Sequence, residues 1–297
     1  MFSNWTGRAA MPQPRAGCAA GVIHGRFVLA GGTYWRDGEK CWSERADAFD
    51  SAANRWESLA SLPRPCGDVA SAALADALYV FGGGAGGPTE SSTWKLHDGA
   101  WSEVSTMTLP APRRYAMAAV LDGRIFLLGG IVGSATDFAS ASPNFWSAEP
   151  DKAWESRTPM PGPIRFGCAV GGVNGRIIVA GGCTPENGTV RNLDEILSYD
   201  PSTDQWSVVG RLPVPSRGAG VVIDDNRLLT FGGYTDKFET SIFAITATGG
   251  VSSVGELPVG LAGARFVRIG GDVLGASGEN GIKMRFAGTI VCATPGR

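Results

Sequence analysis

The stretch NGRIIVAGGCTPENGTVRNLDEILSYDPSTDQWSVVGRLP, residues 174–213, reads as one complete small-sheet unit. Asn174-Gly175 suits a two-residue hairpin turn, whose central residues both need φ > 0. Residues 176–180 form a short apolar strand that Gly181-Gly182 ends. A polar loop leads to a second strand reaching Tyr199. The segment 200–204, DPSTD, turns the chain again, and an outer strand carries Trp206. Leu212-Pro213 closes the unit, and the pattern restarts.

Outward from this stretch, the same unit recurs along the chain. Gly pairs stand at Gly31-Gly32, Gly82-Gly83, Gly129-Gly130, Gly181-Gly182 and Gly232-Gly233, with a degenerate copy at Ser277-Gly278; successive spacings are 51, 47, 52, 51 and 45 residues. Each pair follows a closing proline (Pro12, Pro63, Pro110, Pro161, Pro213 or Pro258) by 19 or 20 residues. Trp5, Trp56, Trp154 and Trp206 each precede a closing proline by seven residues, Trp101 by nine, and the fifth unit has Val251 at this place. A period near 50 residues is the mark of a repeat architecture. The last unit, from Val259, runs out of chain before it can supply an outer strand. Residues 1–12, with Trp5, supply it, and pairing the two chain ends removes the free sheet edges of an open array.

Composition agrees with this reading. The chain has 297 residues, 43 of them Gly, with 18% charged and 43% apolar. That balance suits many short strands joined by tight turns in a single unit. A net charge of −2 gives no reason to expect nucleic acid or a membrane surface as partner. No run approaches the roughly 18 apolar residues of a membrane span, and residues 1–12 lack a hydrophobic signal core, so the expected location is cytoplasmic. The six Cys show no CxxC pair. Cys18 and Cys168 occupy equivalent strand positions and are expected to be buried thiols, with no disulfides in a reducing compartment.

The period, the Gly pair and the Trp resemble those of Kelch repeats, over the whole chain and in six registers. The resemblance implies an all-β, six-bladed β-propeller with four antiparallel strands per blade. It forms one domain over 1–297, with blades at about 13–63, 64–110, 111–161, 162–213, 214–258, and 259–297 joined by 1–12.

Two sets of loops meet on one face of such a ring, those after the closing prolines and those after the Gly pairs. The first set carries Arg15, Arg113, Arg114, Arg165 and Arg217. Facing the channel mouth, they would form a cationic ring, and a guanidinium grips a carboxylate with two parallel hydrogen bonds. Directed instead at blade carbonyls, they would be structural. After the Gly pairs stand Thr33, Gly84, Ile131, Cys183, Tyr234 and Glu279, of which only Glu279 is charged. A carboxylate there can act as general base or acid on a substrate proton within reach, or be a solvated loop residue.

The segment ASGENGIKMRFAG, residues 276–288, resembles a motif of sialic acid mutarotases, which are six-bladed Kelch enzymes. Gly278-Glu279 match the family's Gly-Glu pair and Gly281 its later Gly, while the basic partner is either Arg285 or Lys283. The next blade in the ring is the first, and its loop GGTYWRDGEKCWSERADAF (31–49) is similar to the aromatic and basic loop of those enzymes, in circularly permuted order. The resemblance implies anomerisation of N-acetylneuraminic acid or a related acidic sugar. Glu279 would move the anomeric proton, Arg285 or Lys283 would assist, the arginine ring would clamp the substrate carboxylate, and Tyr34, Trp35 or Phe166 would contact the N-acetyl group. No cofactor and no metal are expected.

Glu186 with Arg191, and Asp236, are reserve acid–base candidates in the loops after Gly pairs. His24 and His97 fall away from Glu279, which argues against a His triad or a His-ligated metal. Cys66 and Cys183 lack a His to activate them. Two other functions remain open: a non-catalytic interaction module gripping an acidic peptide on the arginine face, and a Kelch-scaffold enzyme of other chemistry, a lyase or cyclase.

Overall fold

The computed structural model describes residues 2–293; Met1 and the 294–297 end of the sixth blade lie outside the described residues. The ring has six four-stranded antiparallel sheets. Blade 4, the unit quoted above, runs Ala169–Val173, Arg176–Ala180, Glu195–Asp200 and Gln205–Arg211, with Asn174 (φ 48°) and Gly175 (φ 72°) in the hairpin turn. Blade 6 is Arg265–Ile269, Asp272–Ala276 and Thr289–Ala293, and its outer strand is Trp5–Arg8 from the other end of the chain. Trp5 pairs with Cys292 and Arg8 with Thr289, so the ring closes as the spacing predicts. Among the described residues the only helices are two single 3-10 turns, Ser105–Met107 and Phe138–Ser140, and no helix is long and apolar enough to cross a membrane.

The core is divided into six clusters, one at each seam between neighbouring blades. The outer-strand tryptophans tie the seams. Indole N–H groups donate to backbone carbonyls near the close of the preceding blade: Trp56 to Ala9, Trp101 to Ala60, Trp154 to Met107, Trp206 to Thr158 and Trp5 to Glu256, at 2.8–3.1 Å. Each ring is thus partly buried against its seam while its polar edge is satisfied.

The Gly pairs do a second job. The second glycine donates its N–H to the first residue of the next blade's entry segment, as from Gly32 to Cys66, Gly83 to Arg113 and Gly233 to Leu261, each 2.7 Å. The first glycine has φ +66° at Gly31 and +61° at Gly82, and a Cβ there would collide with that same carbonyl. Side-chain-free backbone is therefore required twice over. In the degenerate copy Ser277 adopts φ 68° and its hydroxyl donates to the Arg15 carbonyl at 2.8 Å.

Candidate functional site at the channel mouth

Beyond three of the Gly pairs the chain forms two-stranded ribbons: Thr33–Arg36 with Glu39–Trp42, Cys183–Glu186 with Thr189–Asn192, and Glu279–Gly281 with Met284–Arg285. The third ribbon places Glu279 directly across from Arg285. The Glu279 carboxylate lies 2.8 Å from the Arg285 guanidinium, with Glu279 41% exposed and Arg285 only 7%. Arg285 is fixed from behind, because its Nε and Nη2 donate to the carbonyl and hydroxyl of Thr33 at 3.0 and 3.1 Å. A buried, anchored cation thus holds an accessible carboxylate across the blade 6–blade 1 seam.

Of the two candidate basic partners, Arg285 is the one beside Glu279. Lys283 turns to the first ribbon instead, donating to the Gly38 carbonyl at 3.3 Å and lying 4.8 Å from the Trp35 ring centre. Trp35 also faces Arg285 at 5.8 Å, so the two ribbons meet on this indole. Tyr34 is taken up by its own ribbon, where its hydroxyl accepts from Arg36 at 2.9 Å.

The arginines do not form the expected open ring. Counted back from the Gly pair, Arg15, Arg113 and Arg165 stand sixteen residues before Gly31, Gly129 and Gly181, whereas Arg114 and Arg217 stand fifteen before Gly129 and Gly232. One residue of register separates the two sets. Arg15 is buried and ion-paired to Asp47 at 2.7 Å. Burial alone would raise the Asp47 carboxyl pKa, but hydrogen bonds and charge from Arg45 and Arg15 hold it below the usual range. Arg113 is buried 4.6 Å over Trp146 and donates to Ser142, and burial lowers its pKa to about 10. Arg165 is buried against Glu195 at 2.8 Å.

Arg114, in the other set, is also covered, held by Thr89 and the Gly87 carbonyl. Arg217 alone is half-buried; it donates to Asn192 at 2.6 Å and lies over Tyr234. The substrate clamp expected of five arginines is therefore reduced to one accessible guanidinium, since four of them are spent inside the blades.

Phe166 is likewise covered, stacked on Phe138 with ring centres 5.7 Å apart and beside Tyr115 at 6.2 Å. Glu186 and Arg191 form an exposed ion pair at 2.7 Å in the second ribbon. Asp236 is exposed and accepts from Thr235. His24 sits in the hairpin turn between the two inner strands of blade 1, near Asp76 and Asp98. The thiols are unpaired and blunted by burial, which pushes Cys66 up to about 11 and Cys168 and Cys183 up to about 12.

The structure adds residues that the sequence reading passed over. Fourteen residues before each Gly pair the chain takes φ > 0: Gly17, Asp68, Tyr115, Gly167, Gly218 and Gly263. Several of these residues join blade to blade, with N–H groups of Asp68, Tyr115, Gly218 and Gly263 donating to the carbonyls of Gly17, Asp68, Gly167 and Gly218 at 2.7–3.0 Å. Four of the six are glycine. Tyr115 (φ 53°) carries a side chain where the backbone disfavours it, at a cost of about 1–2 kcal/mol, whereas Asp68 (φ 59°) is of a residue type that tolerates this region.

Asp68 is buried beside Lys40 Nζ at 3.3 Å and Arg114 Nη1 at 3.7 Å. The Tyr115 hydroxyl is driven well above its ordinary pKa, first by burial, then by the negative charge of Asp68, with Glu279 adding to the effect. Arg265, on the innermost strand of blade 6, donates to the Cys18 carbonyl at 2.8 Å, and burial lowers its pKa. Of the two, Tyr115 is the backbone outlier, and it faces titratable groups. The signal was present in the sequence, as the two departures from glycine at a fixed offset from the Gly pair.

Chemically the site offers an accessible carboxylate with a fixed cationic partner, a phenol kept protonated, and ammonium groups at Lys40 and Lys283. Among the described residues no three His, Cys, Asp or Glu side chains converge as a metal site.

A Kelch motif is matched at residues 14–63 and 164–213. The chain is similar to Kelch-like protein 15 of Danio rerio, 25% identical over 246 residues, which cover 77% of this chain and 40% of the relative. It is 30% identical over 212 residues to spermatocyte protein spe-26 of Caenorhabditis elegans, covering 70% of this chain and 36% of that one. The chain thus spans about two fifths or less of the length of these curated relatives. The solved structure of YjhT aligns with a TM-score of 0.76 over 95% of each chain at 15% identity, a likeness of fold. The chain is a six-bladed β-propeller carrying Kelch repeats.

Proposed function

We propose that this propeller is a sugar isomerase that anomerises N-acetylneuraminic acid or a related acidic sugar at the mouth of its channel, in the cytoplasm. The observation that carries the reading is the Glu279–Arg285 pair, a half-exposed carboxylate 2.8 Å from a guanidinium that is itself buried and anchored on Thr33. Arg285 keeps the carboxylate aimed, and Glu279 takes the anomeric hydroxyl proton of the cyclic hemiketal. The ring C–O bond then breaks, the carbonyl forms, and the ring oxygen must gain a proton. Tyr115, kept protonated by burial and by Asp68, supplies a donor there. Rotation about the exposed carbon bond and reclosure by the reverse steps give the other anomer. Lys283 and Lys40, on the two ribbons that meet at Trp35, attract the substrate carboxylate in place of the buried arginines.

The uncatalysed reaction already runs in water, so general acid–base help of about 10²–10⁴-fold is sufficient. The test is a proton NMR time course in which a sialidase releases the α-anomer and its conversion to β is followed. The wild-type protein is expected to accelerate equilibration, and Glu279→Gln to lose about 100-fold or more of that acceleration while its unfolding midpoint stays put. An unchanged rate with wild-type protein at high concentration sinks the isomerase reading. A second reading, a face that grips an acidic peptide, is favoured by the exposed or half-exposed cations Arg36, Arg191 and Arg217. It predicts that Glu279→Gln keeps or strengthens peptide binding.

A further inference from the structure

Between blades 4 and 5 lies a small open cavity of about 50 Å³, with Ser216, Thr230, Glu239, Ser241 and Phe243 in its wall and the half-exposed Val214 at its edge. The repeat itself shows what belongs in such a place. In blade 3 the guanidinium of Arg113 lies 4.6 Å over Trp146 and donates to the Ser142 hydroxyl at 3.0 Å.

The registers map these residues onto blade 5. Ser216 stands where Arg113 does, sixteen residues before its Gly pair. Phe243 stands where Trp146 does, since Trp146 pairs with Leu127 and Phe243 with Thr230, two residues before each strand's Gly pair. Glu239 stands where Ser142 does, each donating its N–H to the carbonyl of the second glycine, Gly233 or Gly130. Blade 5 has therefore kept the aromatic wall, exchanged the hydroxyl acceptor for a carboxylate, and lost the arginine.

Two polar groups are left over. The Ser216 hydroxyl is buried with no partner. Glu239 accepts from the Thr235 hydroxyl at 2.7 Å, and among the described residues no basic side chain pairs with it. A flat aromatic face beside an unneutralised carboxylate is complementary to a planar cation with several forked donors. We infer that this cavity is a socket for a guanidinium group supplied from outside the chain, either a free guanidine compound or an arginine side chain of a partner. The inference is independent of the channel-mouth chemistry.

The test measures binding of methylguanidinium, methylammonium and an acetylated Gly-Arg-Gly amide to the full chain by saturation-transfer NMR and titration calorimetry. Saturable methylguanidinium binding is expected, with methylammonium about ten-fold or more weaker. Glu239→Gln should weaken it by about 10–100-fold, the range for a hydrogen bond to a charged group. Ser216→Arg should abolish it by placing the repeat's own guanidinium in the socket. A peptide that binds more tightly than methylguanidinium identifies a protein segment as the source, and equal or weaker binding identifies a free compound. The inference is overturned if folded wild-type protein shows no saturable methylguanidinium binding, if methylammonium binds equally well, or if Glu239→Gln leaves the affinity unchanged. The Glu239→Gln arm decides the matter even if Ser216→Arg does not fold.

Discussion

Blades 4 and 5 meet the same demand of the repeat in opposite ways. Where the chain enters blade 4, Arg165 fills the space behind the inner strands and holds Glu195 at 2.8 Å. At the matching positions of blade 5 stand Ser216 and Ser241, and a cavity opens. The seams differ likewise. The cluster between blades 3 and 4 includes Phe126, Phe145, Phe166 and Tyr199, with Trp206 packed alongside. The buried cluster between blades 4 and 5 is aliphatic (Ala169, Val173, Ile178, Ala180, Ile196, Leu228 and Ile245), and the outer-strand position that holds Trp in other blades is Val251. A closed ring needs every seam to hold, but it does not need each to be equally full. Redundancy among six seams leaves one free to keep a cavity.

The comparison breaks first if the full seam is not the stronger one. Phe145 is buried and lies 4.7 Å from the Tyr199 ring centre and 5.2 Å from Trp206. Phe145→Ala is expected to cost about 3–5 kcal/mol of unfolding free energy, the usual range for an aromatic lost from a packed core. Ile196→Ala, in the aliphatic seam, should cost about 2–3 kcal/mol because fewer atoms are lost. Urea unfolding monitored by tryptophan fluorescence measures both, and equal costs would show that the two seams carry equal weight.

A finer test exchanges side chains at one register position. Arg165→Ala leaves Glu195 with only the more distant Arg211, at 3.7 Å, and should cost about 3 kcal/mol, the low end for breaking a buried pair because Glu195 is partly exposed. Ser216→Ala at the equivalent position removes an unpartnered hydroxyl and should change stability by less than about 0.5 kcal/mol. A large loss at Ser216 would mean that the hydroxyl has a structural partner and that the cavity is not vacant.

The architecture was legible because its signals are short-range and repeated. A Gly pair, a tryptophan and a proline at fixed offsets report backbone shape and seam packing directly, and Trp5 locates the closing strand. The direction of the arginines was not legible from the prolines, since the segment from Pro161 to Arg165 is one residue longer than that from Pro12 to Arg15. Loop length absorbs such changes, and one residue of slip turns a side chain from one face of a strand to the other. Counting from the Gly pair crosses only a hairpin of constant length and separates Arg113 from Arg114. The choice between Arg285 and Lys283 needed the ribbon register, which follows from the turn geometry. Asp68 and Tyr115 were missed for another reason: a left-handed backbone is announced by glycine, and where another residue occupies it only the fixed offset from the Gly pair reveals it.

The left-handed position can be tested at Tyr115 by comparing two variants that differ only in a Cβ. Its ring contacts Phe166, and its backbone has the conformation that Gly17, Gly167, Gly218 and Gly263 adopt in other blades. Tyr115→Ala loses the ring but keeps a Cβ in the left-handed region, whereas Tyr115→Gly loses the ring and the strain together. At an ordinary strand or turn position alanine is the more stable of the two, because glycine costs more entropy on folding. Here the order should reverse, with Tyr115→Gly more stable than Tyr115→Ala by about 1 kcal/mol in urea unfolding. Both variants should lose the same share of any sugar isomerisation, since both lack the phenol. Stability in the ordinary order would remove the strain, and with it the reason for treating Tyr115 as held in place for function.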